Sequence, residues 1–203
     1  MAILPASGQI AARDLNLTMN QPAAQQVSLG DAMMRSLGAI ASGVISLNDF
    51  HGKNRATGTI TTQTSGSFTV PYGCYSINVT CIGGGGGAGN PSWSGYYGAF
   101  YGPGGGGANG ITVTNTALAV TPGQIISYTV GAGGSQCTST VNGGSGSPGI
   151  ASTFGSVTAP GGAAGYYGGP QPTAQTYGQG GYEVSNSYAS NQNGSAGAVT
   201  FSY

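Results

Sequence analysis

The sequence predicts a mainly-β protein: a small α+β N-terminal module, residues 1–55, followed by a glycine-rich antiparallel β-sandwich or jelly-roll-like domain, residues 56–203. Three observations predict this division. Seven of the eight charged residues lie in the first 55 positions, whereas 36 of the 41 glycines and all 12 tyrosines lie beyond them. Short runs that alternate apolar and polar residues, such as residues 76–80, are typical of strands and not of disordered Gly-rich chain.

The N-terminal module contains three similar units, in each of which an aliphatic residue precedes an aspartate by four positions: Ile10 and Asp14, Val27 and Asp31, Ile45 and Asp49. The second and third units also carry a serine three residues before the aspartate. This Ser-x-x-Asp pattern is close to a capping box, in which the serine oxygen accepts an unpaired backbone N–H and the acid favours the helix N-terminus. We therefore expect each unit to enter a short helical turn.

The second unit should continue as a helix to about Leu37 and stop at Gly38, with Leu29, Met33 and Leu37 as its apolar stripe. Capping explains the three aspartates without a metal or a catalytic role. Because 55 residues are marginal for an independent core, we expect the module to dock onto a partner or onto copies of itself.

In the glycine-rich domain, apolar alternation and turn residues predict short strands over residues 57–64, 67–71, 75–82, 111–114, 118–120, 125–130, 151–154, 156–159 and 198–203. The long connections, about 83–110, 131–150 and 160–196, contain the glycine runs. Such runs form either flexible chain or packed polyproline-II-like helices whose backbones pair closely. The spacing of the glycines is irregular, without a sustained three-residue period, and the sequence leaves both interpretations open.

The composition argues against an enzyme, and we expect no catalytic residues, no metal and no cofactor. Cleavage of polysaccharides needs paired carboxylates, but Glu183 is the only acid after Asp49. The run 83–89 lacks the Gly-Lys-Ser/Thr of a phosphate-binding loop, and no Lys or Arg follows Arg55, so we expect no nucleotide or nucleic acid. We predict no signal peptide and no membrane span. The three cysteines, an odd number, should be reduced core thiols.

The candidate binding residues are the aromatic side chains of two long connections. Trp93, Tyr96, Tyr97, Phe100 and Tyr101 lie in the first, and Tyr166, Tyr167, Tyr177 and Tyr182 in the last. Tyrosine among Ser, Gly and Asn is typical of recognition loops, which combine rigid amphipathic contacts with adaptable hydrogen bonds. The same rings could instead pack between glycine helices, and the composition alone does not decide between the two.

The N-terminal strings 4–10, 27–31 and 42–53 resemble the short N-terminal module of many tailed-bacteriophage tail and virion proteins. The order of strand motifs in residues 65–203, with Val-Thr-Cys-Ile before a glycine run, is similar to glycine-rich domains of phage tail-fibre and tail-tip proteins. One departure is Ala11, where those modules usually have Ser; the loss should weaken the first cap by about 1 kcal/mol.

This resemblance implies a virion protein, in the tail rather than the head, made in the bacterial cytoplasm. Residues 1–55 would join other virion proteins, and the chain would form a homo-oligomer, with a trimer as the expected state. The glycine-rich domain would contact a host surface glycan or outer-membrane protein without cleaving it. The alternative is a purely structural component, a capsid decoration or a fibre-attachment adaptor.

Overall fold

The computed structural model describes residues 4, 9–40, 42–51, 56–90, 92–93, 100–102, 104–138, 143–166, 172, 175–181 and 192–203, with the backbone alone at 92–93 and 100–102. The fold is mainly β, with a small helical part at the N-terminus, as the sequence predicts. Two hydrophobic cores are present in these residues. One lies in the helical part and one lies between two β-sheets.

The N-terminal part has two short helices, α1 (Ala12–Thr18) and α2 (Ala32–Gly38), and a 3₁₀ turn (Leu47–Phe50). Each predicted unit therefore enters a helical turn. The carboxylates of Asp14 and Asp49 accept hydrogen bonds from the backbone N–H groups of Ala11 (3.0 Å) and Ser46 (2.7 Å). This is the acidic half of a capping box, and it pairs an N–H that the helix leaves free.

The second unit differs from its prediction at both ends. Its N-cap residue is Asp31 and not Ser28, because residues 28–31 form a separate turn closed by the Asp31 N–H on the Ser28 carbonyl at 3.1 Å. The helix consequently buries Met34 and Leu37, while Leu29 and Met33 are only partly buried against the same core. It includes Gly38, and Ala39 takes the left-handed conformation that ends it (φ +59°).

Eight strands form two open antiparallel sheets that face each other. Strand bounds in chain order are β1 Thr59–Thr62, β2 Gly66–Thr69, β3 Ser76–Ile82, β4 Ser92–Trp93, β5 Phe100–Gly102, β6 Thr112–Ala119, β7 Ile125–Thr129, β8 Ser152–Phe154, β9 Val157–Ala159 and β10 Ala198–Ser202. The first sheet has the order β1-β10-β3-β6 and the second β2-β7-β8-β9, while β4 and β5 form a separate hairpin. The two strands predicted over 111–120 are one strand, β6, with a bulge opposite β3.

The sandwich core is built from the alternation that the sequence shows. Ile77, Val79 and Cys81 of β3 point inward, as predicted, while the residues between them are less buried. Aromatic rings from both sheets fill the centre. The Phe201 ring lies 4.7 Å from that of Phe68 and 4.8 Å from that of Phe154, centroid to centroid. Tilted rings at such distances add favourable contacts beyond their burial.

The helical part covers the end of the sandwich at which β3 begins. Tyr72 packs against the helical core, and Gly73 lies so close to Met19 that a Cβ there would be 3.2 Å from its Cε. The side-chain amide of Gln21 donates a hydrogen bond to the hydroxyl of Tyr75. These contacts fix the helical part at the opposite end of β3 from the glycine run that follows Ile82.

Ala11→Ser should stabilise the N-terminal part by about 0.5–1 kcal/mol, because a serine oxygen can accept an N–H of the first helical turn and the methyl group of Ala11 cannot. The change in the free energy of urea unfolding measures it. Ala12→Ser is the matched control, since Ala12 lies inside α1 and serine there has lower helix propensity. Equal effects of the two substitutions would contradict the capping interpretation.

Burial raises the pKa of the Cys81 thiol from 9.0 to about 11. The folded-state pKa thus lies above that of the unfolded chain, so the contribution of the thiol to stability is present below pH 9 and is lost as the pH rises through 11. We expect the unfolding free energy of wild type to fall more steeply than that of Cys81→Val between pH 9 and 11. The tyrosines are common to both proteins, so parallel curves would show that the pKa of this thiol is the same in the folded and the unfolded chain.

Candidate functional site: the glycine bundle and its far end

The candidate site rests on the backbone geometry of the glycine run after β3. All of residues 83–90, the central segment, are buried. Each of its eight backbone N–H groups donates to a carbonyl of another segment, at 2.8–3.1 Å. The partners of Gly83, Gly84 and Gly85 belong to three different segments, and the partners of the next three residues repeat that order. A three-residue repeat without internal hydrogen bonds is the geometry of the polyproline-II helix.

Six segments surround the central one and are named here by their place in the chain: R1 104–111, R2 131–138, R3 143–150, R4 160–166, R5 175–181 and R6 192–197. R1, R3 and R6 run antiparallel to the centre and accept its N–H groups. R2, R4 and R5 run parallel to it and donate to its carbonyls, for example Gly162 to Gly84 and Gly165 to Gly87, both at 2.8 Å. The predicted loops are therefore a seven-segment bundle, and the polyproline-II alternative is the correct one for these residues.

The ring closes on itself through further backbone bonds between neighbours, in the order R1-R4-R3-R2-R6-R5-R1. Side chains add cross-links on the outside. Asn109 of R1 accepts the Gly180 N–H of R5, and Asn193 of R6 accepts the Gln136 N–H of R2, both at 2.8 Å. Since a buried peptide group without a partner is costly, this ring is what makes the buried central segment stable.

Glycine is required in the bundle because the backbones are in contact. A Cβ added at any of Gly83 to Gly87 would lie only 1.9–2.1 Å from a carbonyl oxygen of a ring segment. The ring segments likewise carry glycine every third residue at crowded positions: 104, 107 and 110; 131 and 134; 146 and 149; 162 and 165; 178 and 181; 194 and 197. The spacing that is irregular along the domain is thus regular within each segment.

The sandwich sets the register of the bundle because most segments continue a strand. The central segment follows β3, R2 follows β7 and R4 follows β9, while R1, R3 and R6 lead into β6, β8 and β10. Ser152 joins the two parts at their boundary. Its buried hydroxyl donates to the Ile82 carbonyl (2.6 Å) and accepts the Gly131 N–H (2.9 Å).

The connections that carry the predicted aromatic residues start from the end of the bundle remote from the sandwich, called the far end. Asn90, Gly104 and Gln192, which flank two of these connections, lie there, as their contacts with residues 88–90 show. Cys137 and Gly144, on either side of residues 139–142, contact the same residues. The described residues on both sides of 91–103, 139–142 and 182–191 therefore lie at one end of the bundle. In the first of them, the backbones of Trp93 and Phe100 pair across the β4–β5 hairpin.

The structure describes the side chains of only two of the predicted site residues, Tyr166 and Tyr177. Tyr166 closes R4 at the far end, where its carbonyl accepts the Gly105 N–H and its side chain is 59% exposed. Tyr177 is partly buried and precedes Gly178, which lies against Gly83 near the sandwich, so it is not at the far end. Tyr96, Tyr97, Tyr167 and Tyr182, and the side chains of Trp93, Phe100 and Tyr101, lie outside the described residues.

Two features are absent from the described residues. No helix there is long and apolar enough to cross a membrane. In the same part of the chain, no three His, Cys, Asp or Glu side chains come together in a group that could hold a metal ion. Cys74, Cys81 and Cys137 are reduced, buried thiols, as the sequence predicts.

Together, the two sheets and the ring of glycine segments define a class of protein in which a β-sandwich is extended by a polyproline-II bundle. A family profile described as a glycine-rich domain matches residues 60–201, from β1 to β10. The chain belongs to this glycine-rich domain family. No curated protein sequence matches the chain.

Gly86→Ala should destabilise the protein by about 3 kcal/mol or more, because its Cβ would lie 1.9 Å from the Ala163 carbonyl oxygen and the surrounding backbone cannot move away. Urea unfolding or, for a variant too unstable to purify, the soluble fraction on expression measures it. Gly30→Ala is the matched control, since the nearest atom to its added Cβ is 3.9 Å away. A Gly86→Ala protein as stable as this control would mean that the bundle is not close-packed.

Proposed function

We propose that the chain is a virion protein of a tailed bacteriophage, a tail-fibre or tail-tip component that contacts the host surface without catalysis. The observation that carries this proposal is that the two ends of the molecule differ in structure. One continuous backbone path runs from Tyr75 to Asn90. The helical part, which resembles a phage attachment module, lies at its start, and the far end of the bundle, where the residues flanking the aromatic connections lie, is at its end. At strand and polyproline-II rises this path is about 50 Å long.

Rigidity of the bundle supports a role in display. The ends of three connections are held by a ring in which every segment is bonded to both neighbours and to the centre. Binding residues are commonly found on loops that a rigid scaffold positions, because the scaffold reduces the entropy lost on binding.

The chemistry of the connections supports an uncharged contact. Residues 91–103 contain one Trp, three Tyr, one Phe, several Gly and Ser and no charged residue. Aromatic faces suit sugar rings and apolar protein surfaces, and Ser and Asn supply hydrogen bonds that adapt to either. A host surface glycan or an outer-membrane protein fits this chemistry. Each contact would be weak, and several copies on one particle would multiply it.

The helical part supports an attachment role through its exposed apolar side chains. Val44 in the third unit is 96% exposed, and Leu17 and Leu47 are also exposed. Large apolar side chains exposed on a small module are typical of a surface that another protein covers. In this proposal another virion protein binds this surface. The helical part thereby fixes the chain to the particle, with the far end pointing outward.

Binding of the full chain to bacteria tests this function. Fluorescently labelled protein, made multimeric on a carrier, should bind cells of the phage's host saturably and compete with adsorption of the phage. Tyr166→Ala should weaken that binding at least tenfold without changing the melting temperature. Ile125→Ala, also an exposed apolar residue but on the sandwich, is the matched control.

Two results would contradict the proposal at different levels. In the first, a folded, multimeric sample binds no host cells although mass spectrometry finds the chain in purified phage particles. This result would reject host binding, and the chain would be a purely structural virion component, such as a capsid decoration or a fibre-attachment adaptor. Absence of the chain from those particles would reject a virion protein altogether.

A further inference from the structure

The outer surface of the bundle is mainly apolar on one side and polar on the other. On the neighbouring segments R1, R4 and R3, the exposed side chains include Ala108, Ile111, Pro148, Ile150, Pro160 and Ala163, with Ser145 and Ser147 of R3 as polar exceptions. On R6 and R5, the exposed side chains include Gln192, Asn193, Ser195, Gln175 and Thr176. The face formed by R1, R4 and R3 is called the apolar face below.

The apolar face is continuous because its three segments are hydrogen-bonded side by side. The Ile111 N–H of R1 donates to the Pro160 carbonyl of R4 at 3.0 Å, and the Gly149 N–H of R3 donates to the Gly162 carbonyl of R4 at 2.9 Å. Ile111 and Ile150 accept from Gly83 and Gly84, so both isoleucines lie at the same level, next to the sandwich. They are 52% and 60% exposed.

We infer that the apolar face binds the same face of a second copy of this chain, with the two bundles side by side. The first reason is the repeat. Three residues per turn at about 3.1 Å each place the outward side chains of a segment about 9 Å apart. In two copies at the same level, the outward side chains of one therefore meet those of the other along the whole face. A second copy has ridges of this spacing by construction, whereas an α-helix repeats about every 5.4 Å per turn and a strand about every 6.7 Å.

The second reason is charge. The described residues of the domain after residue 56 carry no charged side chain, so the apolar face offers nothing by which a charged partner could be selected. An uncharged surface also protects a protein poorly against self-association. A contact between two copies needs no second, complementary surface on the protein, because each copy contributes the same apolar face.

The expected orientation is parallel, and this point alone rests on the proposed function. Parallel bundles place the two helical parts at one end and the two far ends at the other, as a multivalent fibre tip requires. Alignment at one level also brings the Ile111 and Ile150 pair of one copy against that of its neighbour and leaves the smaller Ala108 and Ala163 to face each other.

Sedimentation of the full chain over a range of micromolar concentrations tests the interface. We expect wild type to self-associate and the double substitution Ile111→Ser and Ile150→Ser to raise the dissociation constant at least tenfold with an unchanged melting temperature. Ile125→Ser is the control, since Ile125 is 69% exposed but lies at the start of β7 in the sandwich, off the apolar face. A wild-type monomer at every concentration, or an equal effect of the control, would overturn the inference.

A second measurement tests the face directly. Ala163→Cys, in the middle of the apolar face, should form an intermolecular disulfide under mild oxidation, whereas Thr176→Cys, on the polar side, should not. The natural cysteines are buried, so wild type gives the background. Equal cross-linking by both variants would reject this face. If the protein self-associates but binds no bacteria, the interface is supported and the proposed host binding is rejected. If it is a monomer that binds bacteria, host binding is supported and the interface is rejected.

Discussion

The structure depends on one constraint: the buried backbone of residues 83–90 can be paired only by other segments. A polyproline-II helix has no internal hydrogen bonds, so every N–H and C=O of the central segment would be unpaired without the ring. The ring supplies these partners from both directions, because alternate segments run antiparallel and parallel to the centre. Each glycine follows from this arrangement, since any side chain at Gly84 or Gly86 would occupy the position of a neighbouring carbonyl.

The sandwich offsets much of the entropy cost of this arrangement. Glycine loses more conformational freedom on folding than any other residue, and seven separate segments would have to meet at once. In this chain, six of the seven are direct continuations of strands whose register is already fixed by a core containing Phe68, Phe154 and Phe201. The hydroxyl of Ser152 carries that register across the boundary by bonding both the last carbonyl of β3 and the first N–H of R2.

Local patterns made the strands predictable, whereas the bundle depends on contacts between distant residues. Ile77, Val79 and Cys81 alternate with polar residues, which is enough to place β3 and its inward face. Gly104, Gly107 and Gly110 repeat every three residues, but only pairing with the central segment shows why. The three-residue period is present within each segment but is interrupted at every connection, so the glycine spacing over the whole domain is irregular. The bulge in β6 and the N-cap at Asp31 depend on tertiary contacts and turn geometry that no short pattern specifies.

The same constraint determines which positions of the domain can change in sequence and which cannot. Positions facing the centre must stay glycine, and charges have no place in a bundle whose interior is backbone packed on backbone. Most outward positions of the described segments are free of this restriction. The exceptions are Asn109, Asn193 and Ser195, whose side chains accept backbone N–H groups of the bundle. Aromatic residues such as Tyr166 are therefore not required by the bundle at the positions where they occur. Such residues are where a binding role would be encoded, and the exposed isoleucines beside the sandwich are where contact between copies would be.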